Sequence, residues 1–139
     1  MAEREEADAA RGPEEQFREF LRQGRFLVQR ARTSGRVVFY PRVAEPGTGE
    51  RDLEWVPCRG AGTVYATTVI RRRPEKGGDY NVALIDVDDG FRMLSRVEAT
   101  SPDDVTIGQR VQARISEIDG EPAIVFDPLN SPGEADHAG

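Results

Sequence analysis

Cysteine and histidine are almost missing from this chain: its 139 residues include one cysteine, Cys58, and one histidine, His137. A single thiol excludes an internal disulfide and a cysteine-built zinc centre within one chain. No Ser-His-Asp or Cys-His arrangement can be assembled from such an inventory, because a nucleophile needs an activating base. Cys58 stands next to Pro57 where a strand opens, and its position favours a small buried hydrophobe. Aromatics make up only 7% of residues, and Phe39, Tyr40 and Tyr65 are the ones interleaved with arginines, so a stacking platform for single-stranded nucleic acid has thin support. The net charge of −6 leaves no global basic field of the kind DNA and RNA binders carry. No apolar run approaches the roughly 20 residues of a membrane span. The opening Met1-Ala2-Glu3-Arg4-Glu5-Glu6-Ala7-Asp8 lacks the apolar centre of a signal peptide. These absences point to a soluble cytoplasmic protein with one compact domain and disordered margins.

What is present is patterned. Residues 1–12 are charged and nearly free of large apolar groups, which predicts disorder. Residues 13–24 predict a short helix, with Pro13 at its start, acids in the first turn and Gly24 after the last. Phe17, Phe20 and Leu21 share one face at i, i+3, i+4 spacing. A helix this short needs a docking surface, either the chain's own barrel or a partner protein. Residues 25–58 read as irregular, with short strands at Arg36–Tyr40 and at Leu53–Pro57, the latter burying Leu53 and Trp55 together. Two hairpin-like pieces with almost no core must lean on the barrel or on a partner.

From Arg59 strands recur at regular spacing. Gly60 and Gly62 open a β-branched and aromatic run that ends in Arg71-Arg72-Arg73, and glycines there mark a tight bend of a long strand. Tyr80–Val87 and Phe91–Val97 flank Asp88-Asp89-Gly90, a hairpin turn. Ser101–Val105 reads as a short helical connector. Val111–Ile118 and Ala123–Phe126 flank a second Asp-Gly turn, and the tail from 129 to 139 is again polar and expected to be disordered. About five strands with an interruption between the third and fourth match a five-stranded OB-fold barrel over residues 59–128. A β-sandwich, with seven or more strands, fits less well.

Acids at Asp86, Asp88, Asp89, Asp103 and Asp104 do not have calcium-loop spacing, and turn and helix-start chemistry accounts for them. Among the arginines, Arg71, Arg72 and Arg73 stand out, because a triple guanidinium beside the flexible Gly77-Gly78 loop suits phosphate oxygens.

The order of these pieces resembles the acyl-CoA-associated zinc-ribbon/OB-fold family, long catalogued as domains of unknown function, several members of which partner thiolases and thiolase-like enzymes. Phe20 through Arg30 is similar to its approach from helix to ribbon. Gly60-Ala61-Gly62-Thr63-Val64-Tyr65 is similar to the opening of its OB strand, Tyr80–Ile85 and Asp89–Ser95 to its central hairpin, Ile107–Val111 to the approach to its fourth strand, and Phe126-Asp127-Pro128 to its closing motif. The likeness covers about residues 17–128. It implies a rubredoxin-like ribbon over residues 25–58 with two Cys-x-x-Cys pairs. Here those positions hold Ala31, Ser34, Glu45 and Thr48, which cannot form a thiolate tetrahedron. The expectation is a degenerate, zinc-free ribbon with no tightly bound cofactor. The resemblance further implies a non-catalytic accessory subunit that binds a thiolase-like or other acyl-CoA-processing enzyme, helps position acyl-CoA, and uses Arg71, Arg72 and Arg73 on its phosphates. A homo-oligomer is compatible with this; nucleic acid and membrane are not expected partners. Two readings stand beside it: an oligonucleotide-binding module, and an acyl-CoA hydratase-associated subunit.

Overall fold

A computed structural model describes residues 12–129, so the expected disorder at 1–11 and 130–139 lies outside the described residues, as does His137. Among the described residues the chain divides into two compact units. One runs to Cys58 and includes Glu117–Ala123; the other comprises Arg59–Ser116 and resumes at Ile124. No described helix is long and apolar enough to cross a membrane.

The first unit opens with helix α1, Pro13–Arg22. Pro13 supplies a preset φ where the missing N–H costs nothing, and Glu14 and Glu15 face the positive end of the helix dipole. Gly24, at φ 79°, ends it. Its apolar face is pinned by rings: Phe17 meets Phe26 at 6.2 Å and Phe39 at 5.6 Å, and Phe20 meets Trp55 at 5.1 Å, all edge-on. The Trp55 indole N–H donates to Gln16 Oε1 at 3.1 Å. The helix therefore docks on the unit's own small sheet.

That sheet corrects the reading of 25–58 as irregular. Strand β1, Leu27–Ala31, is central between β2, Val37–Val38, and β3, Leu53–Pro57, both antiparallel to it. Leu21, Leu27, Val28, Ala31 and Val38 are buried, so the unit has its own core. The strand expected over Arg36–Tyr40 shrinks to two residues, and Leu53 and Trp55 are half-buried rather than buried because every β3 position but the last is partly covered. Cys58 is likewise half-buried.

The second unit holds most of a curled antiparallel sheet of β4 (Ala61–Ile70), β5 (Tyr80–Val87), β6 (Phe91–Ser95), β7 (Arg110–Ile118) and β8 (Glu121–Pro128), in the order β6-β5-β4-β7-β8. The fold is mainly β with one short α-helix, and this sheet has the OB-fold plan. Central strand β4 is shorter than the expected Arg59–Arg73 span. Its first residues pair with β7 (Ala61↔Gln112 to Thr63↔Arg110) while the whole strand runs along β5. A bulge at Tyr65, between Val64 and Ala66, lets one strand serve both neighbours. A parallel bridge, Val97↔Phe126, closes the curl, with the Phe126 N–H donating to Arg96 O and the Glu98 N–H to Phe126 O.

Gly62 sits where a methyl group would meet the Asp86 carbonyl oxygen at 2.7 Å and Ile85 at 2.8 Å. Gly60 combines φ 79° with an equally tight approach to Ala113. The two glycines are thus the places where strands β5 and β7 come closest to β4. Alternate residues of β5, Asn81, Ala83, Ile85 and Val87, face inward with Val64, Met93, Val97, Val111, Val125 and Phe126.

Candidate functional site

Among the described residues no group of three or more His, Cys, Asp and Glu side chains is placed to hold a metal ion. The acids weighed as cation ligands are used elsewhere. Asp86 pairs with Arg92 and Asp88 with Arg110, whose hydrogen bond holds the Asp88 carboxyl below its ordinary range. Asp89 accepts the N–H groups of Arg59 and Gly60, fastening the β5–β6 turn to the start of β4.

The arginine triplet is divided by the fold. Arg71 donates to Asp79 at 2.8 Å and to Asp103 at 2.8 and 3.2 Å. Asp103 first, then Asp79, raises the Arg71 pKa, and Arg71 in turn holds Asp79 low. Arg71 is thus a strut that ties the 74–79 loop to the short 3-10 turn Pro102–Asp104. Arg72 instead lies over the Tyr80 ring at 4.6 Å, its Nε donating to Gly78 O. Arg96 lies over the same ring at 4.7 Å, and its carboxylate partner, Glu98, has Oε2 4.0 Å away while Oε1 pairs with Arg114 at 3.2 Å. Arg73 is exposed at the start of the loop. The structure brings together Arg72, Arg96 and Tyr80, with Arg73 next in sequence and Arg71 committed to acids.

Sequence reasoning missed Arg96. The signal was the alternation of β6. Met93, Ser95 and Val97 take the inner side, which leaves Arg92, Leu94 and Arg96 on the outer one, and the register Ala83↔Ser95 carries Arg96 toward Tyr80.

This cationic corner ends an apolar row on the outer face of the sheet. Ala66, Leu84 and Leu94 are aligned across three strands, followed by Thr68 with Val82 and Ile70 with Tyr80. Leu94 is 54% exposed and Ile70 37%. Tyr65, at 51%, is capped by Arg92 at 3.6 Å, which takes that ring out of use as a base-stacking surface. A guanidinium pair at the end of an exposed apolar strip sets charge complementary to an anion beside apolar area.

Three of the four positions implied as metal ligands, Ser34, Glu45 and Thr48, also converge, within the first unit. Glu45 is 3% exposed, and its carboxylate accepts the Thr48 hydroxyl at 2.7 Å and the Ser34 hydroxyl at 2.9 Å. Thr48 does most to hold the Glu45 carboxyl below its usual range; burial opposes it, and Ser34 and the Arg36 charge add to it. One carboxylate, two hydroxyls and the Ala31 methyl do not fit zinc.

Among curated proteins, a DUF35 domain-containing scaffold protein of Methanocaldococcus jannaschii is 31% identical over 114 residues, covering 73% of this chain and 80% of that one. The chain belongs to the DUF35 family. A family model described as the ChsH2 C-terminal OB-fold domain matches residues 55–116. Among solved structures, the DUF35 chain of an Ltp2-ChsH2(DUF35) aldolase superposes with a TM-score of 0.74 at 26% identity, over 86% of this chain and 97% of that one. A DUF35 protein of unknown function from Sulfolobus solfataricus shares the fold at a TM-score of 0.58 and 20% identity, over 83% and 84% of the two chains. A probable enoyl-CoA hydratase alpha subunit of Thermomonospora curvata is 29% identical over 79% of this chain, which spans only 35% of that protein.

Proposed function

We propose that this DUF35 chain is a non-catalytic accessory subunit that binds a thiolase-like or other acyl-CoA-processing enzyme and helps position acyl-CoA. The observation that carries it is the Arg72–Arg96 pair on Tyr80 at the end of an exposed apolar row. Phosphates would meet the guanidiniums while pantetheine, acyl chain or a partner's apolar side chains cover the row. The relatives support the partner class: one is named a scaffold protein, one is a chain of an aldolase and one a probable hydratase subunit. Arg72 and Arg73 keep the phosphate role suggested by sequence, Arg96 joins them, and Arg71 holds the loop that presents them.

The test has two arms. The tagged chain is recovered from its native source and its companions identified by mass spectrometry; an acyl-CoA-processing enzyme is expected, and its absence would sink the reading. Coenzyme A is then titrated into the recovered complex. Charge-assisted hydrogen bonds to phosphate contribute about 1.5–3 kcal/mol each, so Arg72→Ala or Arg96→Ala weakens binding roughly 10- to 100-fold. Arg71→Ala, acting only through the loop, weakens it less. Equal losses for all three would refute the assignment of roles. Tight, steeply salt-dependent binding of single-stranded oligonucleotides by the chain alone would instead favour a nucleic-acid module.

A further inference from the structure

Two turns in the first unit are built alike. In Ala31-Arg32-Thr33-Ser34-Gly35 the Gly35 N–H donates to Ala31 O at 2.8 Å, and in Glu45-Pro46-Gly47-Thr48-Gly49 the Gly49 N–H donates to Glu45 O at 2.9 Å. Both closing glycines stand at φ 76°, a left-handed conformation that glycine adopts without cost. Ser34 from the first turn and Glu45 and Thr48 from the second meet at one centre, where the Glu45 carboxylate receives one hydroxyl from each turn. Ala31, the first residue of the first turn, is fully buried. A second tier reinforces the arrangement: Ser34 Oγ also accepts the Arg36 N–H, Thr48 Oγ1 accepts the Glu50 N–H, and the Glu50 carboxylate accepts the Thr33 N–H. Paired turns that each aim residues i and i+3 at a shared point are the geometry in which four thiolates hold a tetrahedral metal ion.

We infer that the Glu45 carboxylate stands in the place of such an ion, stapling the two turns through Ser34 and Thr48, and that thiols at positions 31, 34, 45 and 48 turn the same frame into a metal site. The staple is made of a carboxylate and hydroxyls, so it is indifferent to chelators and to thiol oxidation. This inference is independent of the partner reading above; a chain that binds no enzyme would still carry the staple.

The wild-type chain, treated with a strong chelator, keeps its thermal midpoint; a fall would overturn the inference. Ser34→Ala and Thr48→Ala each speed amide hydrogen exchange at Gly35 and Gly49 relative to β5, and Glu45→Ala lowers the midpoint by roughly 5 °C or more. Should Glu45→Ala fail to fold, the two hydroxyl variants decide: unchanged exchange in both overturns the staple. The quadruple variant A31C/S34C/E45C/T48C is titrated with cobalt(II) under reducing conditions. One equivalent per chain with tetrahedral thiolate absorption, displaced by zinc, is expected, whether the apo variant is folded or folds on adding metal. A variant that binds no metal, folded or unfolded, overturns the geometric half of the inference.

Discussion

Replacing Asn81 by leucine, which has nearly its shape, separates polar satisfaction from packing at the closure of the barrel. Asn81 is 2% exposed in β5. Its amide N–H₂ donates to Thr67 Oγ1 at 2.7 Å and to Thr68 O at 3.2 Å, and its oxygen accepts the Val97 N–H at 3.0 Å. Val97 is the residue that bridges to Phe126, so the amide ties β5 to the seam where the curled sheet meets itself. Leucine orphans the buried Val97 N–H, at a cost of about 1–3 kcal/mol, and removes two further bonds worth about 0.5–1.5 kcal/mol each. Burying its extra apolar surface returns up to about 2 kcal/mol. Central values put the loss at about 4 kcal/mol and the net at about 2 kcal/mol, a large fraction of the roughly 5–15 kcal/mol that holds a domain together. In urea, with a slope of about 1–3 kcal/mol/M, the midpoint falls by about 1 M at an unchanged slope. An Asn81→Leu chain as stable as wild type, with the Val97 amide still protected from exchange, would refute this account of the seam.

Gly62→Ala drives a methyl into the Asp86 carbonyl and costs about 1–3 kcal/mol by denaturant titration; a neutral result would mean that β4 and β5 separate easily. Glu45 has a folded pKa below its ordinary 4.5, so its stabilisation is complete above that pH and is lost as pH falls through the lower folded value. Glu45→Gln is accordingly less stable than wild type at neutral pH, and the difference shrinks on acidification below pH 4.5; a gap that persists in strong acid contradicts the sign. Arg71→Ala releases Asp79, whose carboxyl then titrates closer to its ordinary value in an NMR titration and whose loop exchanges faster. Phe17→Ala removes two of the three edge-on ring contacts of α1 and increases proteolysis within residues 13–24 while leaving β5 exchange unchanged.

How much of this was legible follows from how local each signal is. Strands β3 and β5 run over the residues expected, Leu53–Pro57 and Tyr80–Val87. Alternation and an Asp-Gly turn mark such strands without reference to the rest of the chain. Strand β1 escaped because it does not alternate: Leu27, Val28 and Gln29 are buried in succession. A buried glutamine in a strand looks like a loop residue until its partner is known. Here the Gln29 amide clamps the backbone of Arg42, accepting its N–H and donating to its O, each at 2.7 Å. The convergence of 34, 45 and 48 was available only through resemblance, and no spacing rule names a carboxylate as the replacement for a metal. Arg96 was hidden differently, since its neighbours in the site, Arg72 and Tyr80, lie across the hairpin and require the register.

Arginine pairing, rather than arginine number, locates the candidate surface. In an acidic chain most guanidiniums are neutralised by a carboxylate at close range: Arg30 by Glu54, Arg32 by Asp52, Arg92 by Asp86, Arg110 by Asp88, Arg114 by Asp127. Such exposed pairs add little stability, but each removes a cation from the inventory available to an incoming anion. A run of three arginines in sequence is therefore a poor guide by itself, and Arg71 shows why, since two aspartates claim it. Arg72 and Arg96 differ in kind. Their charge is held by a ring quadrupole, worth about 0.5–1 kcal/mol at an exposed site, which orients the guanidinium without cancelling its charge. An anion arriving there meets two preoriented forks, and the carboxylate beside them, Glu98, stands 4.0 Å from Arg96 and lies closer to Arg114. Exchanging that ring for a carboxylate gives the sharpest discrimination: Tyr80→Glu keeps both arginines and the strand but cancels one of the pair's two charges. Coenzyme A affinity of the recovered complex then falls as far as it does in Arg72→Ala, whereas Tyr80→Phe, which keeps the ring, leaves it within about twofold.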